Sequence, residues 1–229
     1  MPLPMVHLNI ANRIADSLQM QAAQGSFYLG NIAPDSIHMR EGTTREDKEY
    51  THFNPKDNGD YVGELKDLYS FYMQQLTDEG WKWFVRGYFM HVLTDYYWFR
   101  SVHPEFVERV NKVDQHTGIS RSKDELSRLY YQETDQIDFN LYQGSSWSEE
   151  VWQVLNGSSG YDMADRLTAD EIVRWRDHTF SFLNGEEPGI TPEFITGERV
   201  QLFVEETVER LIALLSSWDP ELVTGYDYR

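Results

Sequence analysis

GWKWFVRGYFMHVLTDYYWFRSV, residues Gly80 to Val102, decides the fold. The run is apolar or aromatic almost all the way round, so as a helix it is buried on every side. It also carries Lys82, Arg86, Asp95 and Arg100. Those are too many charges for a helix that spans a membrane. A central helix inside a bundle is the reading that remains. His91 and Asp95 stand one helical turn apart and share a face. A buried imidazole and a buried carboxylate must each be paired, hydrogen-bonded or bound to a metal. The spacing alone leaves a satisfied buried pair and a pair of metal ligands equally open.

Working outward, helical periodicity recurs along the chain. His7, Ala11, Ile14 and Leu18 form one stripe of a helix over 7–24, with His7 facing inward at its start. Gly25–Ser26 closes it. Phe27–Arg40 is a short apolar run broken by Gly30 and Pro34, and Pro34 places Asp35 near the start of a helical turn. Residues 41–60 are polar and aperiodic and read as a long loop around Tyr50–Phe53, which includes His52. From Tyr61, the positions Val62, Leu65, Tyr69, Tyr72, Met73 and Leu76 form an amphipathic helix. Thr77 and Asp78 then cap the central one.

His103-Pro104 ends the central helix, and a short helix from Pro104 to about Val113 follows. Ser122–Glu125 and Thr168–Glu171 are capping boxes opening helices to about Tyr142 and to Leu183. A short helix, Ser148 to Asn156, lies between them, and a last one runs from about Glu198 to Trp218. Glu133 falls in the middle of the apolar face of the helix after Ser122, with Asp138 on the flank. No alternating strand pattern, internal repeat or low-complexity block is visible. The expectation is an all-α bundle, one domain over residues 1–218, with a loosely held tail over 219–229.

The totals narrow the function. Lys plus Arg number 20 against 38 Asp plus Glu, a formal net charge of −18 over 229 residues. Such a surface repels nucleic acid and anionic lipid but tolerates bound cations. There are no cysteines, which excludes a disulfide framework, thiol catalysis and thiolate-bound zinc. The opening MPLPMVHLNIANRI lacks the basic and apolar regions of a signal peptide. A cytoplasmic protein without stable membrane insertion is expected.

His7, Asp35, His52, His91 and Asp95 therefore form a candidate set, with Glu133 as a sixth member. Imidazole nitrogen and carboxylate oxygen are the donors expected for zinc when thiols are absent. Three protein ligands with an open position make a catalytic rather than a structural site. Each residue also has a structural reading: a core or capping histidine for His7, a helix-start acid for Asp35, a salt bridge to Arg100 or Arg121 for Glu133. His38, His103, His116 and His178 read as surface.

The ordered set of His7, GNIAPDS (Gly30–Ser36), THF with His52 and HVLTDYYW (His91–Trp98) resembles the zinc-dependent phospholipase C family, itself similar to the S1/P1-type nucleases. The match covers roughly residues 5 to 100. The resemblance implies an all-α bundle around up to three zinc ions. His52, His91 and Asp95 would bind one ion, and His7 with a bridging Asp95 another. Asp35 would act as ligand or as the general base for the attacking water. The family's later histidine pair and acid have no clear match, so one or two ions are expected, with Glu133 the first candidate to complete a further site and Asp138 or His103 behind it. The implied activity is phosphodiester hydrolysis by metal-activated water on a small phosphoester or phospholipid head group. A zwitterionic, choline-type head group suits the acidic surface, with Tyr96, Tyr97 and Trp98 as a possible aromatic wall. The alternatives are a non-catalytic helical scaffold or binding protein that keeps one structural metal ion, and an HD-type phosphohydrolase, whose adjacent His-Asp pair is missing here.

Overall fold

The computed structural model describes residues 3–53 and 59–223. It is all-α, with no strand among the described residues and a single isolated bridge between Met163 and Leu167. The helices are α1 (Pro4–Ser17), α2 (Gln24–Gly30), α3 (Arg45–Thr51), α4 (Tyr61–Met73), α5 (Glu79–Arg100), α6 (Val102–Thr117), α7 (Lys123–Gly144), α8 (Ser148–Asn156), α9 (Ala169–Leu183), α10 (Gly197–Trp218) and the short α11 (Pro220–Val223). A 3-10 segment, Ala33–Met39, follows α2. No described helix is long and apolar enough to cross a membrane.

Helix α5 is the axis of the bundle. Asp78 caps it by accepting from the Trp81 N–H at 2.8 Å, and every residue from Phe84 to Asp95 is buried. Helices α1, α2, α4, α6 and α10 and the 3-10 segment all pack on it. Its closest neighbour, α2, approaches through two glycines. A Cβ on Gly30 would lie 2.2 Å from the Phe84 carbonyl oxygen, and one on Gly87 would lie 2.2 Å from that of Phe27. Neither contact is tolerable, so only glycine at both positions lets the two backbones meet. That contact sets Asn31 against α5 one turn before His91.

The other helices begin where capping chemistry places them. Ser122 with Glu125 and Thr168 with Glu171 form complete capping boxes at the starts of α7 and α9. Three segments depart from the sequence expectation. The helix expected over 7–24 is two: α1 starts at Pro4, a residue suited to a first helical position, and the chain turns through left-handed Gln19 (φ 49°) and Ala23 (φ 57°) into α2. The expected loop over 41–60 contains α3, opened by a Thr44–Asp47 capping box; residues 54–58 lie outside the description. The helix after His103 is also longer at both ends than expected, spanning Val102–Thr117.

The start of the presumed loose tail is docked. Asp219 is buried and accepts from Arg86 Nη2 at 2.6 Å, Arg86 Nε at 2.9 Å and the Tyr69 hydroxyl at 2.9 Å. Arg86, a charge in the middle of α5, is compensated by the chain's far end. Residues 224–229 of the expected tail are outside the described residues.

Candidate metal centre

Four elements bring five of the six predicted residues together. Helix α1 supplies His7, the 3-10 segment Asp35, the C-terminal end of α3 His52, and α5 His91 and Asp95. All five are buried, His7 completely. They form two overlapping groups, His7–His91–Asp95 and Asp35–His52–His91, whose candidate ligand atoms lie within 4.8 Å of one another.

Backbone carbonyls fix the two central imidazoles. His91 Nδ1 lies 2.7 Å from the Asn31 carbonyl oxygen. His52 Nδ1 lies 2.9 Å from that of Lys48. A carbonyl only accepts, so each Nδ1 carries the proton and each Nε2 presents a lone pair to the centre. The α3 end that carries His52 is tied to α5 by the Tyr88 hydroxyl, which donates to the Thr51 carbonyl at 2.6 Å.

The two Nε2 atoms stand 3.3 Å apart. Two lone pairs facing each other at that distance repel unless a cation lies near both. Zinc–nitrogen bonds of about 2.0–2.1 Å at a tetrahedral angle would separate two ligands by roughly 3.3–3.4 Å. The carboxylates fill out the same cage. His52 Nε2 is 3.4 Å from Asp35 Oδ1 and 3.6 Å from Asp95 Oδ2. His91 Nε2 is 3.8 Å from Asp35 Oδ2 and 3.9 Å from Asp95 Oδ2.

His7 adds a second edge. Its ring stacks on His91 with centroids 3.9 Å apart and planes 8° from parallel. Its Nε2 is 3.4 Å from Asp95 Oδ1. Among the described residues neither His7 nitrogen nor Asp95 Oδ1 has a hydrogen-bond partner, although all three are buried. Buried polar atoms without partners are rare in folded proteins and costly. Their donor types and their position against the first group fit a divalent cation.

The electrostatics agree. Burial alone would raise the Asp35 carboxyl, but the Lys48 ammonium, His52 and His91 hold it well below the usual carboxylate range. Asp95 is likewise lowered against its burial, by His7, His91 and His52. Burial and the neighbouring His7 push His91 down to about 3, although Asp95 and Asp35 oppose the shift. At neutral pH His91 is therefore a neutral imidazole beside two carboxylates, the state in which such ligands bind metal.

Glu133 is a correction. Its burial was legible in the helical period, but its carboxylate faces a different part of the fold. Oε1 accepts from the Glu193 N–H at 2.8 Å, Oε2 from the Ile195 N–H at 2.7 Å, and both from Phe194 N–H. It holds a backbone loop and belongs to neither metal-competent group. The alternative salt bridge to Arg121 is also absent, since Arg121 pairs with Asp114. Asp138 is completely buried rather than on a flank, and it accepts from the Met5 N–H at 3.1 Å at the start of α1.

Sequence reasoning missed Lys48 and Asn31. Lys48 Nζ is 2.8 Å from Asp35 Oδ1 and 3.2 Å from His38 Nε2. Its one signal was its place a helical turn before His52. Asn31 acts through its main chain, which leaves no mark on residue type.

A cavity of about 390 Å³ opens onto the centre, with His52 and Asp95 in its wall beside Lys48, Tyr61, Tyr96 and Arg100. The aromatic wall expected from Tyr96, Tyr97 and Trp98 does not form as a unit. Trp98 is in the core and donates from Nε1 to the Tyr130 hydroxyl at 2.7 Å. Tyr97 faces Arg210, and Tyr96 alone lines the cavity.

A family model described as zinc dependent phospholipase C matches residues 6–160. The chain belongs to the zinc-dependent phospholipase C family. All five converging residues lie within that span, from α1 through α8, whereas α9 and α10 lie beyond it. No curated protein and no solved structure matches significantly. Membership of this phospholipase C family and the two His/Asp groups together support a metal-dependent hydrolase of the phospholipase C kind.

Proposed function

We propose that the chain is a zinc-dependent phosphodiesterase in which His52, His91, Asp35 and Asp95 would hold one ion, and His7 with Asp95 would help to hold a second. The observation that carries the reading is the pair of Nε2 lone pairs 3.3 Å apart in a buried, carboxylate-lined cage. Zinc bound there would supply Lewis acidity and a water of lowered pKa.

The protein's own groups do the rest. Asn31 and Lys48 carbonyls keep His91 and His52 in the tautomer that points Nε2 inward. Asp95 uses one oxygen toward His52 and His91 and the other toward His7. Asp35 is held well below the ordinary carboxylate range, so it is a weak base. It therefore serves better as a ligand, and as an acceptor that orients the attacking water, than as a strong proton abstractor. The cavity beside His52 and Asp95 admits a phosphoester from one side while the helices exclude bulk water from the other.

One observation favours a non-catalytic scaffold: the Lys48 ammonium already compensates Asp35 without any metal. It does nothing for the bare His7 nitrogens or for Asp95 Oδ1. The test is zinc content by elemental analysis, together with hydrolysis of bis-p-nitrophenyl phosphate. The proposal expects one or two zinc ions per chain and activity that chelation removes and zinc restores. Zinc-loaded protein that leaves the ester intact would favour the scaffold.

A further inference from the structure

The cavity that leads to the centre gathers three cations, in a chain that is strongly acidic overall. Its wall carries Arg45, Lys48 and Arg100 against the carboxylates Glu49 and Asp95. Two of the three cations are already engaged. Arg45 pairs with Glu49 at 2.9 Å, and Lys48 with Asp35 at 2.8 Å. Arg100 has no carboxylate partner among the described residues. Its guanidinium carbon lies over the Tyr96 ring, 3.7 Å from the centroid.

That stacking matters for specificity. An aromatic face is the feature that would hold a quaternary ammonium head group, and here Tyr96 offers its face to an internal cation instead. A choline arm entering the cavity would find the Tyr96 face already taken by a guanidinium, with Tyr61 and Phe99 the other rings in the wall. An arm ending in carboxylate or phosphate would meet a fork of donors suited to bidentate recognition. Stacking also holds the guanidinium in place, which reduces the entropy lost on binding.

The link from this cation to the centre is Tyr61. Its ring lies 5.0 Å from that of Tyr96, and its hydroxyl donates to the His52 carbonyl at 3.2 Å.

We infer that the cavity selects phosphodiesters whose departing or retained arm carries a second negative charge, read by Arg100 on its Tyr96 platform, and rejects choline-type arms. This inference rests on the hydrolase reading for its catalytic consequence but on the cavity alone for binding. The acidic exterior leaves a small anion one cation to meet in this wall, Arg100, whose charge no carboxylate among the described residues takes up.

The test uses matched p-nitrophenyl phosphodiesters whose second arm is either choline or 3-hydroxypropanoate, with phosphonate analogues of both for equilibrium binding by calorimetry. The zinc-loaded chain is expected to prefer the carboxylate arm at least about tenfold in kcat/KM and in Kd. Arg100→Gln should collapse that ratio to near unity, and Arg100→Lys should restore part of it. A second series replaces p-nitrophenol with dibutyroylglycerol. The preference in either series supports the anion site, and the series with the larger kcat/KM tells a lipid source from a soluble one. If neither diester is hydrolysed but the phosphonates keep the Arg100-dependent preference, the anion site stands and the hydrolase reading falls. Equal or tighter binding of the choline arm, a preference that survives in Arg100→Gln, or no binding of either phosphonate would overturn the inference.

Discussion

The buried polar clusters around Glu133 and around His91 are finished differently. Around Glu133, every carboxylate oxygen has a backbone N–H from residues 193–195, and Arg109 clamps the same loop through the carbonyls of Glu193 and Phe194. Around His91, the imidazoles are oriented with equal care on their outer sides, yet their inner nitrogens face one another at 3.3 Å and both His7 nitrogens lack a protein partner among the described residues. A cluster that only stabilises a fold closes its own hydrogen bonds. One that leaves donors and lone pairs directed at a shared point is built for something that arrives from outside. The Arg86–Asp219–Tyr69 cluster belongs with Glu133: charged, buried and self-sufficient.

Mutations should separate the two kinds. The largest effect is expected at His91→Ala. Hydrolysis should fall on the order of 10⁴-fold with loss of zinc, while circular dichroism shows the helices intact. Glu133→Ala should do the reverse. Leaving three amides without their acceptor should lower unfolding free energy by about 3–4 kcal/mol in urea titrations, with zinc per folded chain unchanged. Zinc loss in Glu133→Ala, or retention in His91→Ala, would erase the distinction.

Gly87→Ala lies between the clusters in character. The added methyl would press on the Phe27 carbonyl and on Asn31, and overpacking of this kind costs about 1–3 kcal/mol. Because the Asn31 carbonyl orients His91, zinc affinity should also drop about 10–100-fold, measurable by competition with a chelating dye. Stability lost without any change in affinity would show that the carbonyl contact is incidental.

The smallest effect is in the pH dependence of the metal-free chain. His91 in the fold titrates near 3, well below its ordinary 6.5, so the unfolded chain takes up that proton first. Its contribution is complete above pH 6.5 and is lost as pH falls toward 3. The lowered carboxyls of Asp35 and Asp95 add a loss below their ordinary 3.8. Asp138, raised far above 3.8 by burial, works in the opposite sense and costs stability as pH rises past that value. Between pH 7 and 5.5 the histidine's own share is a loss of about 1–2 kcal/mol. The difference between thermal melts of metal-free wild type and His91→Ala isolates it, because Asp138 is common to both, and that difference should change over this range in the sense of wild type losing more as pH falls.

Much of this was legible in the residues. The all-round apolar character of Gly80–Val102 marks α5, and the capping boxes at Ser122 and Thr168 mark the starts of α7 and α9. His7, His52, His91, Asp35 and Asp95 stood out because buried imidazoles and acids need a reason. What stayed hidden depended on distant backbone or on weak local signals. Helix α3, REDKEYT, is short and highly charged and has Asp rather than Glu completing its capping box. The partners of Glu133 are amides about sixty residues away, and Asp219 finds Arg86 across most of the chain. The period of α7 showed that Glu133 turns inward but carried no information on what meets it. The same limit applies to Arg100, whose role depends on which face of Tyr96 it covers.

The central claim is tested most directly by anomalous scattering at the zinc edge from crystals grown with zinc. A peak is expected within coordination distance of His52 Nε2, His91 Nε2 and Asp95, with Asp35 beside it. Crystals that hold zinc elsewhere, or none, while those two nitrogens still face each other about 3.3 Å apart, would contradict the account.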